Sequence, residues 1–340
     1  MVAVTDDSFF PFLRGFFKGA DFQVYQLAGD ASNRRYFRVI KDQQSWVLMV
    51  WEPFNPEGYP FLSVLNHFAK HKICVPQVIS MSPKDGLVLL EDLGDLTLER
   101  KFWEAQSPDS SMDFYKQAVD EIIKIHFIAT RDRTDCTAFK VKFDTEKFLW
   151  EMNYGKDNLL SGLCKFEFSE KMNLEITKVF TDICSRLDEE PKFIVHRDYH
   201  SRNLMIKFNE MRVIDFQDAR LGPVQYDLVS LFRDSYVNMP EEMAAKLMDY
   251  YLEKAMPFLP ANISRTYFEE IYELQSIQRC FKACGSFASF LQLRNDKRYL
   301  KYLPQTLKRV LKSLGQFSEY KLFADILIDS GALEKKFESL

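Results

Sequence analysis

The sequence is poor in the two residue types that most often interrupt regular structure. Its 340 residues include only 12 glycines and 13 prolines, well below the roughly 12% that these two types usually contribute together. A collagen-like chain and a proline-rich linker are therefore excluded, and the composition favours helix. Hydrophobic residues make up 46% and charged residues 28% of the chain, a balance that excludes a largely disordered protein.

Long hydrophobic runs are also absent. The longest stretch without a charged residue, Gly58–Ala69, spans 12 residues, whereas a membrane-spanning helix needs about 20 apolar residues. The N-terminus contains Asp6 and Asp7 and no basic residue before Arg14, which is unlike a secretory signal. We therefore expect a protein that does not associate with membranes.

Clustered cysteines and an excess of basic residues are missing as well. None of the six cysteines forms a Cys-x-x-Cys pair, so zinc ribbons and thioredoxin-type motifs lack support, and a reduced cytoplasmic location fits best. Lysine and arginine total 45 against 49 aspartates and glutamates, for a net charge of −4. This balance argues against nucleic-acid binding, and no protein partner is indicated.

The chain divides into a strand-rich part and a helix-rich part. The first ninety residues predict five strands and one helix: Phe22–Ala28, Arg34–Ile40, Trp46–Trp51, helix Pro60–His71, Gln77–Met81 and Leu87–Glu91. Later patterns predict helices at Asp113–Ala129, Asp144–Leu160, Ser169–Leu187 and Tyr267–Leu293, and short strands at Phe193–His196, Asn203–Lys207 and Met211–Asp215. We expect two lobes, 1–92 and 93–340, with a ligand cleft between them.

The densest chemical signal follows two of the short strands. Asp198 and Asn203 lie five residues apart in His-Arg-Asp-Tyr-His-Ser-Arg-Asn, and Asp215 comes twelve residues later, before Phe216. Because each set ends a strand, we expect these side chains to meet. In phosphoryl transfer one carboxylate orients and deprotonates a hydroxyl, while an amide oxygen and a second carboxylate hold Mg²⁺. The long ordered pattern therefore predicts a kinase site.

The same residues also fit two roles outside phosphoryl transfer. Asp198 and Asp215 can be strand-end carboxylates that accept hydrogen bonds from turn amides. Alternatively, His196, Asp198 and His200 can be the ligands of a hydrolytic metal, although no further histidine lies nearby in the sequence. We expect His196 instead to pack against the loop and fix it.

A turn and an acidic segment complete the predicted nucleotide site. The turn between the first two strands consists of Gly29, Asp30, Ala31, Ser32 and Asn33. Backbone amides in such a turn of small residues can approach phosphates. The segment Glu91–Asp95 is either a simple acidic linker or a hinge, in which backbone groups of Glu91 and Leu93 pair with the adenine edge.

Together these motifs resemble a known family. The sequence from His196 to Asp234 is similar to the aminoglycoside phosphotransferase superfamily, and residues 20–315 resemble its branch of bacterial cell-wall sugar kinases, which phosphorylate N-acetylmuramate and N-acetylglucosamine at the anomeric hydroxyl. The matching motifs are Gly29–Ser32, Glu91–Asp95, His196–Tyr199, Asp215–Ala219, Gly222–Val224, Tyr226–Leu231, Arg233–Asp234, Gln278–Arg279 and Arg298–Leu300.

The resemblance implies a fold, a reaction and cofactors. The fold is a bilobal protein-kinase-like structure of the α+β class, with a small five-stranded antiparallel N-lobe and a larger, mainly helical C-lobe. The enzyme would use ATP and Mg²⁺ to phosphorylate a small-molecule acceptor, an amino sugar, with Asp198 as the base and Asn203 and Asp215 as metal ligands. Asp227 would cap the helix that follows it and brace the catalytic loop.

The third strand departs from the general kinase pattern. It lacks the lysine that contacts the nucleotide phosphates, and the helix Pro60–His71 lacks the usual glutamate partner. This absence has two interpretations. Either another cation contacts the nucleotide phosphates in place of the lysine, or the protein is a catalytically dead regulator that binds a nucleotide. Arg34, Arg35 and Arg38 can supply the missing cation, and alternation places Arg35 on the opposite face from the other two. We expect Arg35 to contact the nucleotide.

Candidate acceptor-binding residues lie in the helix-rich part. Arg233, Arg279 and Lys282 can bind an anionic sugar, and Glu151 can hydrogen-bond to sugar hydroxyls; a solvated surface role is open for each of them. Other possible acceptors are an aminoglycoside or a choline-like amine, which would favour an acidic pocket.

Overall fold

The computed structural model describes residues 8–27 and 34–337. The predicted phosphate turn, Gly29–Asn33, lies outside the described residues. The strand-rich part contains α1 (Phe10–Phe16), β1 (Gln23–Gln26), β2 (Arg35–Lys41), β3 (Gln44–Val50), α2 (Pro60–Lys70), β4 (Val78–Ser82) and β5 (Leu87–Glu91). The five strands and α2 confirm the prediction, and α1 is an addition to it.

The five strands form one antiparallel sheet in the order β1-β2-β3-β5-β4. Alternate side chains of a strand point to opposite faces, and in this sheet both faces are covered. The outer face, with Phe37, Val39 and Leu48, packs against α1. The inner face, with Met49 and Leu90, joins the main apolar core. The alternation along β2 therefore directs the neighbours of Phe37 towards the interior of the molecule.

Helix α2 connects the sheet with the helix-rich part. Phe61 and Phe68 of α2 lie against Phe216, with ring centroids 5.3 and 5.9 Å apart. Phe216 directly follows Asp215 of the kinase motif, so α2 contacts the site itself. One apolar core runs from the inner sheet face through α2 into the helix-rich part. A boundary at residue 92 stays a prediction.

Helices surround the motif strands in the rest of the chain. They are α3 (Leu98–Glu104), α4 (Met112–Ile123), α5 (Thr145–Gly155), α6 (Glu170–Glu189), α7 (Gln225–Phe232), α8 (Glu241–Ala255), α9 (Arg265–Arg294), α10 (Leu303–Leu314) and α11 (Lys321–Asp329). Two short ladders carry the motif: β6 (Phe193–Val195) with β9 (Arg220–Gly222), and β7 (Leu204–Lys207) with β8 (Glu210–Val213). Across residues 8–27 and 34–337, no helix has the length and apolar character needed to span a membrane.

Two predicted helices are α-helical in their first part and continue as π-helical segments. The helix predicted at Asp113–Ala129 is α4 followed by a π-helical segment, Lys124–Ala129. The helix predicted at Asp144–Leu160 is α5 followed by a second such segment, Lys156–Leu163. The hydrophobic pattern predicts the position of these helices but not the wider turn, which still keeps apolar residues on one side.

Glycines allow α5 and α9 to cross closely. A Cβ atom built on Gly285 of α9 would lie 2.6 Å from the Cα of Gly155 in α5, and one built on Gly155 would lie 2.7 Å from the ring of Phe281. Real Cβ atoms do not approach this closely, so neither position accepts a larger residue unless the helices separate. Because α9 also carries Arg279 and Lys282, the crossing fixes the position of these cations.

We expect Gly285→Ala to lower the free energy of unfolding by about 1–3 kcal/mol, because the added methyl group overpacks the crossing. Gly15→Ala is the matched control: a Cβ there meets no atom within 4 Å, and alanine is favoured over glycine within a helix by roughly 0.5–1 kcal/mol. Chemical denaturation of both variants measures the difference. Equal or higher stability of Gly285→Ala would contradict the close crossing.

Candidate active site

Hydrogen bonds bring the three residues of the kinase motif together. The Ile214 N–H donates to the carbonyl of Asn203 at 3.0 Å, and His196 Nε2 lies 2.9 Å from the carbonyl of Ile214. Asn203 Nδ2 donates to the carbonyl of Asp198 at 2.9 Å and to Asp215 Oδ2 at 3.2 Å. The three residues therefore lie close together where the strands end, and all three line the same cleft, as their spacing predicts. His196 links the two loops, which agrees with its predicted role.

Asp227 fixes the backbone of the catalytic loop. Its buried carboxylate accepts hydrogen bonds from the N–H of His196 at 2.6 Å and of Arg197 at 2.9 Å, so the predicted brace is present. The predicted helix cap is wrong. Helix α7 begins at Gln225 after Val224, and no side chain caps it. Asp227 lies instead in the first turn, where its negative charge interacts favourably with the free amides of the helix N-terminus.

Two residues of the site adopt the left-handed backbone conformation. Arg197 has a φ of 83° and Asp215 a φ of 64°, a region that is uncommon for residues other than glycine. The backbone amide of Arg197 is held by Asp227, and the side chain of Asp215 accepts a hydrogen bond from Gln217 Nε2 at 2.7 Å. Backbone strain of this kind clusters at functional sites.

The charges around Asp198 keep it ionised. Burial opposes its charge, but Arg197, Lys282 and Arg279 outweigh burial and hold the pKa of this carboxyl well below its ordinary value. Asp215 behaves in the opposite way, because burial and the neighbouring charge of Asp198 raise its pKa. The two carboxylates therefore differ in state: Asp198 is ionised near neutral pH and can accept a hydrogen bond from a hydroxyl, whereas a bound cation would offset the unfavourable burial of the Asp215 charge.

A cleft of about 800 Å³ connects the motif with the segment after β5. Leu93 lies in its wall, and within the described residues neither the N–H nor the C=O of Leu93 has a hydrogen-bond partner. Glu91 also lines the cleft, but its N–H donates to the carbonyl of Gln77 at 2.9 Å and its carboxylate binds Lys207 Nζ at 2.7 Å. Of the two predicted hinge residues, Leu93 is the one whose N–H and C=O both lack a partner within the described residues; a ligand contact of the Glu91 carbonyl stays a prediction.

The alternation along β2 separates the three arginines. Arg34, Tyr36 and Arg38 line the cleft. Arg35 lies on the outer face of the sheet, where its Cζ is 5.5 Å from the ring centroid of Phe37, and α1 covers this face. The expected contact between Arg35 and a nucleotide therefore does not agree with its position, and Arg34 takes its place as the candidate.

Two of the four predicted acceptor residues lie in the cleft. Arg279 and Lys282, three residues apart on α9, both line it. Arg279 donates to Ser230 Oγ, which holds its guanidinium near the catalytic loop. Burial lowers the pKa of Lys282, while the charges of Asp198 and Glu151 act against this effect. The predicted pair of cations is present beside the ionised carboxylate.

The other two predicted acceptor residues have internal partners. Glu151 is fully buried and accepts hydrogen bonds from Gln278 Nε2 at 2.9 Å and from the Tyr226 hydroxyl at 3.3 Å. Arg233 pairs with Glu273 at 2.9 Å. Neither lines the cleft, so both act in packing between helices and neither is positioned to contact an acceptor there.

The catalytic loop does not form the alternative metal site. In the part of the chain that the structure describes, histidine and carboxylate ligand atoms come close enough for a metal at His67, His71 and Asp132, none of which lines the cleft. His196 is bound to the carbonyl of the neighbouring loop. Burial lowers the pKa of His200 to about 4, so this imidazole is neutral near pH 7.

A sequence model of the phosphotransferase enzyme family, APH, matches residues 23–262. The chain belongs to this family. The match includes the whole five-stranded sheet and both loops of the kinase motif, and it ends before α9, the helix that supplies Arg279 and Lys282. The matched region therefore includes the kinase motif, while Arg279 and Lys282, two of the predicted acceptor residues, lie beyond it.

Curated relatives extend over nearly the whole of this phosphotransferase. N-acetylmuramate/N-acetylglucosamine kinase from Neisseria meningitidis serogroup B is 29% identical over 311 residues, which cover 91% of each chain. A kinase of the same name from Pseudomonas aeruginosa is 28% identical over 307 residues, covering 90% of this chain and 88% of its own. The family and these relatives identify an ATP-dependent kinase with an alcohol group as acceptor, as the motifs predict.

Solved structures share the fold at low sequence identity. ADP-bound aminoglycoside phosphotransferase APH(2'')-Ib has a TM-score of 0.58 and 18% identity, covering 94% of this chain and 99% of its own. Choline kinase LicA from Streptococcus pneumoniae has a TM-score of 0.59 and 10% identity, covering 90% and 99%. These similarities confirm the predicted bilobal, protein-kinase-like α+β fold.

The cleft of this phosphotransferase has an aromatic wall that the sequence analysis does not predict. Tyr236, Phe287, Phe290 and Tyr299 line the cleft together, and the rings of Phe287 and Tyr299 lie nearly parallel with centroids 6.0 Å apart. The sequence pattern that could have indicated this wall is the helical spacing of Phe287 and Phe290 after Lys282 on α9. Aromatic residues at such spacing more often belong to a core, so the pattern alone does not reveal the cleft.

We expect Asp198→Asn to reduce turnover by roughly 10²–10⁴-fold while the protein stays folded and still binds nucleotide, because the substitution removes the predicted proton acceptor. Asp157→Asn is the matched control, since it removes an exposed carboxylate from the surface segment after α5. Steady-state kinetics and nucleotide titration of both variants provide the comparison. Near-full activity of Asp198→Asn would show that this carboxylate is not the proton acceptor.

Proposed function

We propose that this enzyme transfers the γ-phosphate of ATP to the anomeric hydroxyl of N-acetylmuramate or N-acetylglucosamine, with Mg²⁺ as cofactor and a sugar 1-phosphate as product. The observation that carries the proposal is the position of the ionised Asp198 beside Arg279 and Lys282 in the cleft. We call this part of the cleft the acceptor end. The names of the two relatives at 29% and 28% identity support the same acceptors.

The part of the cleft near Leu93, which we call the hinge end, fits an adenine ring. Val47 and Leu90 of the sheet, and Met205 and Ile214 of the motif strands, provide apolar surfaces on its walls. Leu93 contributes one backbone donor and one acceptor that lack partners within the described residues. A flat base gains apolar contacts on both faces and directional hydrogen bonds at its edge. Because the same cleft extends to Asp198, Asn203 and Asp215, the phosphates of such a nucleotide would lie towards the catalytic loops.

Asn203 and Asp215 are suited to hold Mg²⁺. The Nδ2 of Asn203 is engaged with Asp198 and Asp215, which leaves Oδ1 for a cation. Together with the carboxylate of Asp215 it forms a pair of hard oxygen donors, the type that Mg²⁺ prefers. A bound Mg²⁺ would neutralise charge on the phosphates. It would also relieve the repulsion between the two carboxylates.

Asp198 is the proposed proton acceptor. Its carboxylate is ionised because the surrounding cations outweigh the cost of burial. An anomeric hydroxyl is more acidic than an ordinary alcohol, so a carboxylate is a sufficient base for its proton. Asp227 holds the adjacent amide of Arg197 and thereby fixes the direction in which the Asp198 side chain leaves the loop.

Arg34 is our candidate for the cation that replaces the missing lysine. It lines the cleft, and its Cζ lies 5.5 Å from the ring centroid of Trp51, a cation–π contact that supports the side chain at this position. Arg35 faces α1, and Arg38 is bound to two aspartates. A contribution from the backbone amides of Gly29–Asn33 stays a prediction.

The acceptor end favours an anionic sugar over a cationic one. N-acetylmuramate carries a carboxylate, which Lys282 or Arg279 can meet with a charge-assisted hydrogen bond worth about 1.5–3 kcal/mol. An aminoglycoside or a choline-like amine would be repelled by the same two cations. Glu151 and Arg233 have no part in this proposal, because neither of them lines the cleft.

We expect Arg34→Ala to raise the KM for Mg-ATP roughly ten- to a hundredfold, the loss of one charge-assisted hydrogen bond. The KM of the acceptor should change little. Arg35→Ala is the matched control, since it removes the same side chain from the opposite face of the sheet. Steady-state kinetics with each substrate varied in turn test the assignment. Normal Mg-ATP dependence of Arg34→Ala would remove Arg34 from the phosphate site.

The acceptor is tested by phosphorus NMR of the product, with both amino sugars and an aminoglycoside as competing substrates. We expect phosphate on the anomeric oxygen. Lys282→Met should lower kcat/KM for N-acetylmuramate roughly ten- to a hundredfold and change that for the uncharged N-acetylglucosamine far less. Phosphate on another oxygen, or faster turnover of the aminoglycoside, would refute the sugar assignment and leave the kinase assignment intact.

A further inference from the structure

Arg38 joins β2 to the segment after β5 through two carboxylates. Its Nε and Nη2 donate to Asp92 Oδ2 and Oδ1 at 2.6 and 3.1 Å. Its Nη1 and Nη2 donate to Asp95 Oδ2 and Oδ1 at 3.0 and 2.9 Å. A planar guanidinium can bind two carboxylates in this bidentate way, whereas a lysine ammonium cannot. One side chain therefore holds two points of the hinge segment.

The two aspartates depend on Arg38 to different degrees. The Asp92 side chain is 4% exposed and the Asp95 side chain 65% exposed. Without Arg38, Asp92 would retain a buried and largely uncompensated charge, which is strongly unfavourable. Asp95 would become hydrated at little cost. The inner carboxylate is thus the one whose position Arg38 determines.

Asp92 in turn shapes the backbone around Leu93. Its Oδ1 also accepts the N–H of Gly94 at 2.8 Å, across a turn in which Gly94 has a φ of 80°. On the opposite side of the segment, Lys207 Nζ donates to the carbonyl of Asp92 at 2.8 Å. Leu93 lies between these fixed points, and its own N–H and C=O have no partner within the described residues.

We propose that Arg38 is a positioning residue for the nucleotide. By binding Asp92 and Asp95 it holds the donor and acceptor of Leu93 in one orientation, and so sets both the affinity for ATP and the preference for adenine over guanine. The two bases present opposite donor and acceptor patterns at this edge, so a fixed backbone discriminates between them and a loosened one does not. This inference rests on the proposed nucleotide site and is independent of the acceptor.

Calorimetric titration of Mg-ADP and Mg-GDP without any acceptor tests the proposal. The variants are Arg38→Met, which removes every donor but keeps an unbranched apolar side chain, and Arg38→Lys, which keeps the charge but loses the bidentate geometry. Arg35→Met is the matched control on the outer face of β2. We expect Arg38→Met to weaken ADP binding at least tenfold and to reduce the ADP-to-GDP affinity ratio at least fivefold. Arg38→Lys should be intermediate, and Arg35→Met unchanged.

A purely structural role would give a different pattern. Arg38→Met would then lower the thermal midpoint and weaken ADP and GDP equally, with an unchanged ratio, and that result would overturn the proposal. Unchanged ADP affinity in a folded variant would overturn it as well. If Arg38→Met does not fold, Arg38→Met combined with Asp92→Asn removes the buried charge, and the same affinity ratio decides. Failure of the wild-type protein to bind ADP at all would instead refute the nucleotide site.

Discussion

The buried carboxylate of Asp227 determines the geometry of the whole catalytic loop. It accepts the amides of His196 and Arg197 and lies 3.2 Å from His126 Nε2, so its charge is compensated without access to water. The left-handed conformation of Arg197 follows from this anchoring, and the direction of the next residue, Asp198, follows from that conformation. A charge buried in this way is favourable only while every partner is present. We therefore expect the loss of any one partner of Asp227 to disrupt the catalytic loop as a whole.

Electrostatics at the cleft separate two carboxylates of the same chemical type. Asp198 is surrounded by cations and stays ionised, whereas Asp215 is buried beside a negative charge and gains from a bound cation. The same cations that depress the pKa of Asp198 extend along α9 to the acceptor end. The charge of Asp198 and the cations of α9 therefore stabilise one another within the cleft.

The sequence predicts the parts of the site that are encoded by local order and spacing. The strand-end motif fixes the meeting of Asp198, Asn203 and Asp215, because adjacent short strands leave little freedom. The wrong choice among the β2 arginines has a clear origin. The sheet face that carries Phe37, Val39 and Leu48 is covered by α1, and without knowledge of that helix both faces of β2 look equivalent. Once α1 is known, alternation alone places Arg34 at the cleft.

The remaining errors arise from partners that are distant in sequence. Glu151 and Arg233 have the chemistry of ligand-binding residues, but they pair with Gln278 and Glu273 of α9, and no local pattern reveals such pairings. The missing cap at Asp227 has a similar cause: its carboxylate binds loop amides some thirty residues away and does not cap its own helix.

Because Phe61 and Phe68 of α2 contact Phe216, the small sheet with its helix cannot be treated as an independent structural unit. The apolar face of α2 is covered by residues of the helix-rich part, so a fragment that ended at residue 92 would expose this face to water and lose a large share of its burial. Such a fragment would be prone to association through the uncovered helix. Folding of the strand-rich part therefore depends on the rest of the chain.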